Sequence, residues 1–201
     1  MIPLVLASAS PRRRALLNAL GVEIEVIPSN VVETLEGPPL EVVAQNARAK
    51  RDDIATRHET SALIVGADTI VVLGDQVLGK PAGHDEARSM LSDLSGKTHA
   101  VLTGVAVVNT DTGQEAEAVE RTDVTFRSLS SGEIDRFIEA VNPIDRAGAY
   151  TADGPGSLLV ERYEGCYQNV LGLPIVRLDA LLRAVGDDLS SRSNPKNAQF
   201  L

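Results

Sequence analysis

Residues 6–14 read Leu-Ala-Ser-Ala-Ser-Pro-Arg-Arg-Arg, a combination suited to holding an anion. The apolar run 2–6 has the length and composition of a strand, and an amphipathic run follows Pro11. Pro11 fits a first helical position, and Ser10 before it is a natural N-cap. A helix start offers free backbone N–H groups and a partial positive charge, to which Ser8, Arg12 and Arg13 add a hydroxyl and two planar forks of donors matched to phosphate oxygens. The alternative is a plain solvated patch, although arginines in a first turn oppose the helix dipole.

Asp68 interrupts the β-branched run ALIVGADTIVVL at 62–73. A lone carboxylate inside a buried strand costs several kcal/mol unless it is paired, hydrogen-bonded or bound to a cation. Glu33, preceded by two valines in a loop, is a second carboxylate able to converge on the same cation. Two carboxylates completed by phosphate oxygens and waters are the usual coordination of Mg²⁺. A turn cap or a buried arginine partner is the plainer reading of Asp68, and a surface carboxylate that of Glu33. Lys50 falls near the apolar face of a long helical pattern, and Lys80 stands in Leu-Gly-Lys-Pro, where glycine permits close backbone approach. Singly these are ordinary solvated lysines. Together with Arg12 and Arg13 they form a ring sized for a triphosphate. His58, His84 and His99 show no metal-ligand spacing, which argues against zinc.

The chain of 201 residues suits one domain of two lobes around a cleft. Its net charge of −9 disfavours nucleic acid and anionic membranes as partners, and 3% aromatic residues with no Trp leave no base-stacking platform. The single cysteine, Cys166, excludes an intrachain disulfide, and no apolar run approaches the roughly 20 residues of a membrane span. A cytoplasmic protein is the expectation.

Hydrophobic period and turn residues predict strands at 2–6, 23–27, 62–73, 76–78, 98–108 and 117–126. Helices are expected from Pro11 to near Gly21 and at 40–57, 85–94, 131–140 and 174–185, with 148–172 irregular and glycine-rich. Strand and helix alternate first and antiparallel pairs follow. The expected fold is therefore α/β, a mixed, twisted sheet with flanking helices in an elongated two-lobed domain with a central cleft, over 1–189, with a frayed tail at 190–201.

Taken together, LASASPRRRALL at 6–17, Glu33, NARAK at 46–50, GADTIVVL at 66–73, LGKP at 78–81, LSGKTHAVLTGVAV at 94–107, DRAGAY at 145–150 and NVLGLP at 169–174 resemble the Maf family of nucleoside triphosphate pyrophosphatases. The resemblance runs to about Leu182. It implies hydrolysis of a nucleoside triphosphate to a monophosphate and pyrophosphate, a fold related to that of inosine triphosphate pyrophosphatases, and a homodimer. It implies that Asp68 is the general base and a ligand of Mg²⁺ or Mn²⁺, with Glu33 sharing the metal. Ser8, Arg12, Arg13, Lys50, Thr69 and Lys80 would hold the substrate. Ala67-Asp68-Thr69 is similar to the branch acting on dTTP and UTP rather than to the Ser-Asp-Gln pattern of the 7-methyl-GTP branch. In one place the chain departs from that branch: Tyr150-Thr151-Ala152-Asp153-Gly154 puts Asp153 where a glutamine is usual. A glutamine donates and accepts, whereas an ionised aspartate only accepts, so Asp153 is either a base contact or a turn residue. A regulator that binds a triphosphate without consuming it is the alternative from outside catalysis.

Overall fold

The computed structural model describes residues 1–198, which build one seven-stranded mixed sheet with helices on both faces. Its first strand, β1 (Leu4–Leu6), leads into α1 (Pro11–Ala19) and runs parallel to both β2 (Glu25–Val26) and β3 (Leu63–Leu73). After β3 the pairing is antiparallel. The short β4 (Gln76–Leu78) folds back on β3, and β5 (Thr98–Asn109), β6 (Gln114–Phe126) and β7 (Val160–Glu164) extend the sheet in the order β2-β1-β3-β5-β6-β7. This is the expected mixed α/β architecture. No helix among the described residues is long and apolar enough to cross a membrane.

The helix α2 (Pro39–Arg57) covers one face of the sheet, packing Val43 against Ile70, Val72, Ala100 and Leu102, and Ile54 against Val5 and Ile64. It lies unusually close. A Cβ on Gly66 of β3 would stand 2.1 Å from the Ala47 carbonyl oxygen, and one on Gly104 of β5 would stand 2.3 Å from that of Val43. Only residues without a side chain let the helix backbone rest there.

Alternation along β3 sends the odd-numbered side chains to the opposite face, which carries two apolar cores. One joins Leu63, Val65 and Ala67 to Leu17 of α1 and to Leu178 and Leu182 of α6 (Ile175–Ala184). The other joins Val71 and Val101 to α3 (His84–Leu94), α4 (Ser131–Val141), Phe126 and Tyr150. A polar line divides them: Thr69 Oγ1 lies 2.9 Å from Thr103 Oγ1, Thr103 donates to the Asn169 carbonyl at 3.2 Å, and Asn169 donates to Thr122 Oγ1 at 3.0 Å.

Four expectations are amended. The strand expected at 23–27 is reduced to two residues, while β6 starts at Gln114 because the turn closes at Gly113, whose φ of +72° suits glycine. The segment 148–172 is not wholly irregular, since it holds β7 and a single turn of helix, α5 (Tyr167–Val170). From Ser190 the chain is engaged rather than frayed. Asp188 caps α7 (Leu189–Arg192), Ser193 bridges Val22, and Ser193 Oγ donates to the Leu20 carbonyl at 2.6 Å. Residues 199–201 of the expected tail lie outside the described residues.

His99 illustrates how the second core responds to pH. It is buried edge-to-face against Phe126 and Tyr150, with Nε2 2.9 Å from the Tyr150 hydroxyl, and burial lowers its pKa to about 4. The unfolded chain therefore binds a proton that the folded chain refuses, and stability falls as pH drops from about 6.5 to about 4. The loss is on the order of 3 kcal/mol. Melting curves across that window are expected to be flatter for His99→Gln than for the unmutated chain. Parallel curves would remove His99 from this role.

Candidate active site

Residues 66–70 of β3 have no strand partner on one edge. β1 pairs only with residues 63–65 and β4 only with 71–73, so a gap opens between them. Side chains from both faces of β3 meet at that gap, and the Ala67 carbonyl is left to side-chain donors, receiving Arg13 Nη1 at 2.9 Å and Lys50 Nζ at 3.4 Å. A cavity of about 340 Å³ occupies the break, where the C-terminal end of β1 meets the start of α1.

On the α2 side the buried Asp68 carboxylate is fully paired. Lys50 Nζ donates to its Oδ1 at 2.7 Å and Asn46 Nδ2 to its Oδ2 at 2.9 Å. Lys50 also donates to Glu33 Oε1 at 2.6 Å. The loop bearing Glu33 is fastened to the same helix, because Asn46 Oδ1 accepts the Thr34 N–H at 3.0 Å while Asn46 Nδ2 donates to the Thr34 carbonyl at 2.9 Å. Asn46 was not among the residues singled out in the sequence. Its signal was position, four residues before Lys50 and so on the same helical face.

On the α1 side the expected cap is present. Ser10 is the N-cap, Pro11 opens the helix, and the Arg12 N–H has no hydrogen-bond partner among the described residues. Ser8 Oγ accepts the Ser10 N–H at 3.2 Å and Arg13 Nη1 at 2.9 Å. The two neighbouring arginines differ sharply. Arg13 is 8% exposed and donates to the Gly172 carbonyl at 2.8 Å and to Thr69 Oγ1 at 3.0 Å, besides Ser8 and Ala67. It ties α1, β3 and the 169–174 segment together, and little of its donor capacity is left for a ligand. Arg12 and Lys80 line the cavity and make no side-chain hydrogen bond or ion pair among the described residues. The Arg12 pKa is lowered first by burial and then by Arg146, against the opposing fields of Asp145 and Asp153.

Much of the remaining wall is apolar, with Val71, Val101 and Tyr150 from the second core and Val170 and Leu171 packed against it, while Asp145 and Thr151 add polar groups. Thr69 lines the cavity between the charged and apolar parts. Asp153 does not line it. That carboxylate is exposed, accepts the Thr151 hydroxyl, and precedes the short 3₁₀ helix Gly154–Leu158, although its field reaches Arg12.

Ser8, Arg12, Arg13, Glu33, Lys50, Asp68, Thr69 and Lys80 thus come from separate stretches of sequence to one cavity. Cations able to hold a polyphosphate share the cavity with the carboxylates of Asp68, Glu33 and Asp145, of which Asp68 is buried and placed to accept a proton from water.

Residues 3–185 match the family model described as Maf-like protein. Among curated relatives, the chain is similar to a dTTP/UTP pyrophosphatase of Desulforamulus reducens, with 44% identity over 94% of this chain and 100% of the relative. It is similar also to a dTTP/UTP pyrophosphatase of Halalkalibacterium halodurans, with 47% identity over 92% and 97%. Among solved structures, a HAM1 protein from Coxiella burnetii matches at 16% identity and a TM-score of 0.50, covering 95% of this chain and 96% of that one, a likeness of fold. The motifs, the cavity they build and the match over 3–185 have one reading: this chain belongs to the Maf-like protein family.

Proposed function

We propose that the chain hydrolyses dTTP and UTP to the nucleoside monophosphate and pyrophosphate. The observation that carries this reading is the buried Asp68 carboxylate at the open edge of β3, held by Lys50 and Asn46 beside a helix start lined with cations. The names of the relatives support the substrate.

In this mechanism the triphosphate lies with its charge against Arg12, Lys80, Lys50 and the free N–H of Arg12 at the start of α1. Asp68 orients a water toward the α-phosphorus and accepts its proton as the new P–O bond forms. The bond between the α-phosphorus and the bridging oxygen breaks, and pyrophosphate leaves with its negative charge offset by the same cations. Arg13 acts by fixing Ser8, Thr69 and Gly172 around the phosphate path.

The donor set fits a divalent cation such as Mg²⁺ or Mn²⁺. Glu33 and Asp68 present hard carboxylate oxygens that converge on one point, now shared with Lys50 Nζ. No group of three or more His, Cys, Asp or Glu suited to a metal occurs among the described residues, so phosphate oxygens and waters would complete the coordination. Such an ion supplies Lewis-acid neutralisation of the phosphate charge. The reading takes residues 1–189 as one domain of two lobes, the two apolar cores on either side of the Thr69–Thr103 line, acting as a cytoplasmic homodimer without nucleic acid or membrane partners.

The test is turnover of dTTP, UTP and 7-methyl-GTP with Mg²⁺ in ¹⁸O-labelled water. Equimolar monophosphate and pyrophosphate from the pyrimidine nucleotides, with the label in the monophosphate, is the expected result. Label in pyrophosphate, release of single phosphate, or intact nucleotide after prolonged binding would overturn the reading. Faster turnover of 7-methyl-GTP would move the substrate to the other branch.

A further inference from the structure

Lys50 stands where the two carboxylates would otherwise receive a divalent ion. Its side chain is 10% exposed, and its ammonium is 2.6 Å from Glu33 Oε1 and 2.7 Å from Asp68 Oδ1. Asn46 already holds the second oxygen of Asp68. The inward-facing oxygens are therefore neutralised by one internal cation. A doubly charged ion on the same two oxygens would lie within a few ångströms of Nζ, where like charges repel and the protein walls leave little room for screening by salt.

We infer that Lys50 is a resident counter-ion that keeps divalent metal out of the free protein and gives up its place when a triphosphate binds, so that metal and nucleotide enter together. The inference rests on the proposed function. Lysine suits the task, because its compact charge sits on a flexible stem with rotatable donors and can pass from a carboxylate to a phosphate oxygen. Glu33, the partner it would leave, stands in a stretch between β2 and α2 that has no strand or helix. Asn46 keeps that stretch and Asp68 in place through the exchange. The coupling is reciprocal: whatever the triphosphate gains from the metal, the metal gains from the triphosphate.

The test measures Mn²⁺ binding by electron paramagnetic resonance on the full chain, without turnover. The unmutated protein alone is expected to bind Mn²⁺ weakly, and Lys50→Met to bind it about tenfold more tightly or better once the competing charge is gone. Lys50→Arg should stay weak, and Lys50→Met combined with Glu33→Gln should lose the gain. Thermal melts establish that each variant is folded. A second arm needs no variant: with the non-hydrolysable α,β-methylene analogue of dTTP, the protein is expected to retain more Mn²⁺ than protein and analogue do separately. Equal or weaker Mn²⁺ binding by Lys50→Met, or no excess retention with the analogue, overturns the inference. Pyrophosphate release by the unmutated protein is read separately. Release with either negative result sinks the counter-ion role alone, whereas no release from any triphosphate sinks the function beneath it.

Discussion

Asp68→Asn is expected to lower the rate of pyrophosphate release from dTTP on the order of 10³-fold, from a protein that still folds. The substitution keeps size and removes the one group at the gap in β3 that is buried, fully hydrogen-bonded and able to take a proton from water. It also has a structural cost that the hydrogen bonds define. Asn46 cannot turn its amide over, because Oδ1 accepts the Thr34 N–H at 3.0 Å and Nδ2 donates to the Thr34 carbonyl at 2.9 Å. An amide at position 68 offers one accepting oxygen to two donors, Lys50 and Asn46, and turns its own NH₂ toward whichever is left. One buried donor then goes unpaired at about 1–3 kcal/mol, which for a chain of this size lowers the melting temperature by about 3–10 °C. The assay is therefore run well below the melting point of the variant, with pyrophosphate as the readout and circular dichroism to establish folding. Retention of a tenth or more of the unmutated rate would remove Asp68 as the base.

That result would test a residue the sequence made conspicuous, and the reason for its visibility is instructive. Asp68 breaks an apolar period, and Ser10-Pro11 marks a helix start, so both announce themselves through local rules. The α/β class followed in the same way from alternating strand and helix patterns. The gap that makes the site was not legible, because it depends on where β1 stops and β4 begins along β3, a matter of register between segments far apart in the chain. The division between Arg12 and Arg13 was hidden for a like reason. Adjacent arginines look equivalent on paper, yet helical geometry turns Arg13 toward the Ala67 and Gly172 carbonyls and leaves Arg12 in the cavity. Asn46 carried no charge to draw notice. The strand β7 escaped because five residues of an edge strand, ending at Gly165 with φ of +129°, sit inside a glycine-rich stretch that reads as loop.

The second large effect is expected at a residue that has no side chain. Gly66→Ala should lower stability by about 3–5 kcal/mol and, in the folded fraction, slow turnover about 10²-fold. The new methyl group would meet the Ala47 carbonyl oxygen at 2.1 Å, the Arg51 nitrogen at 2.6 Å and Arg51 Cβ at 2.9 Å. Most of these are backbone atoms of α2, so no side chain can rotate out of the way. The strand cannot retreat either, since Gly66 is paired with Ala106 in the middle of the β3–β5 ladder. The helix must lift by about 1 Å or more to restore van der Waals contact. It is held against doing so by the packing of Val43, one helical turn earlier, on Ile70, Val72, Ala100 and Leu102, and by Arg51, whose guanidinium is ion-paired to Glu115 at 3.0 Å. Lifting α2 carries Asn46 and Lys50 away from Asp68, and a displacement of that size is enough to misalign a reacting water. Gly74→Ala is the comparison that isolates the cause. Gly74 has a φ of +61° and nothing within 4 Å of the added carbon, so alanine there pays only the left-handed backbone penalty of about 1–2 kcal/mol and should leave turnover unchanged. Melting temperature and pyrophosphate release measured on both variants decide the matter. If Gly66→Ala melts no lower than Gly74→Ala and keeps its rate, the close seating of α2 on the sheet is not what aligns the site.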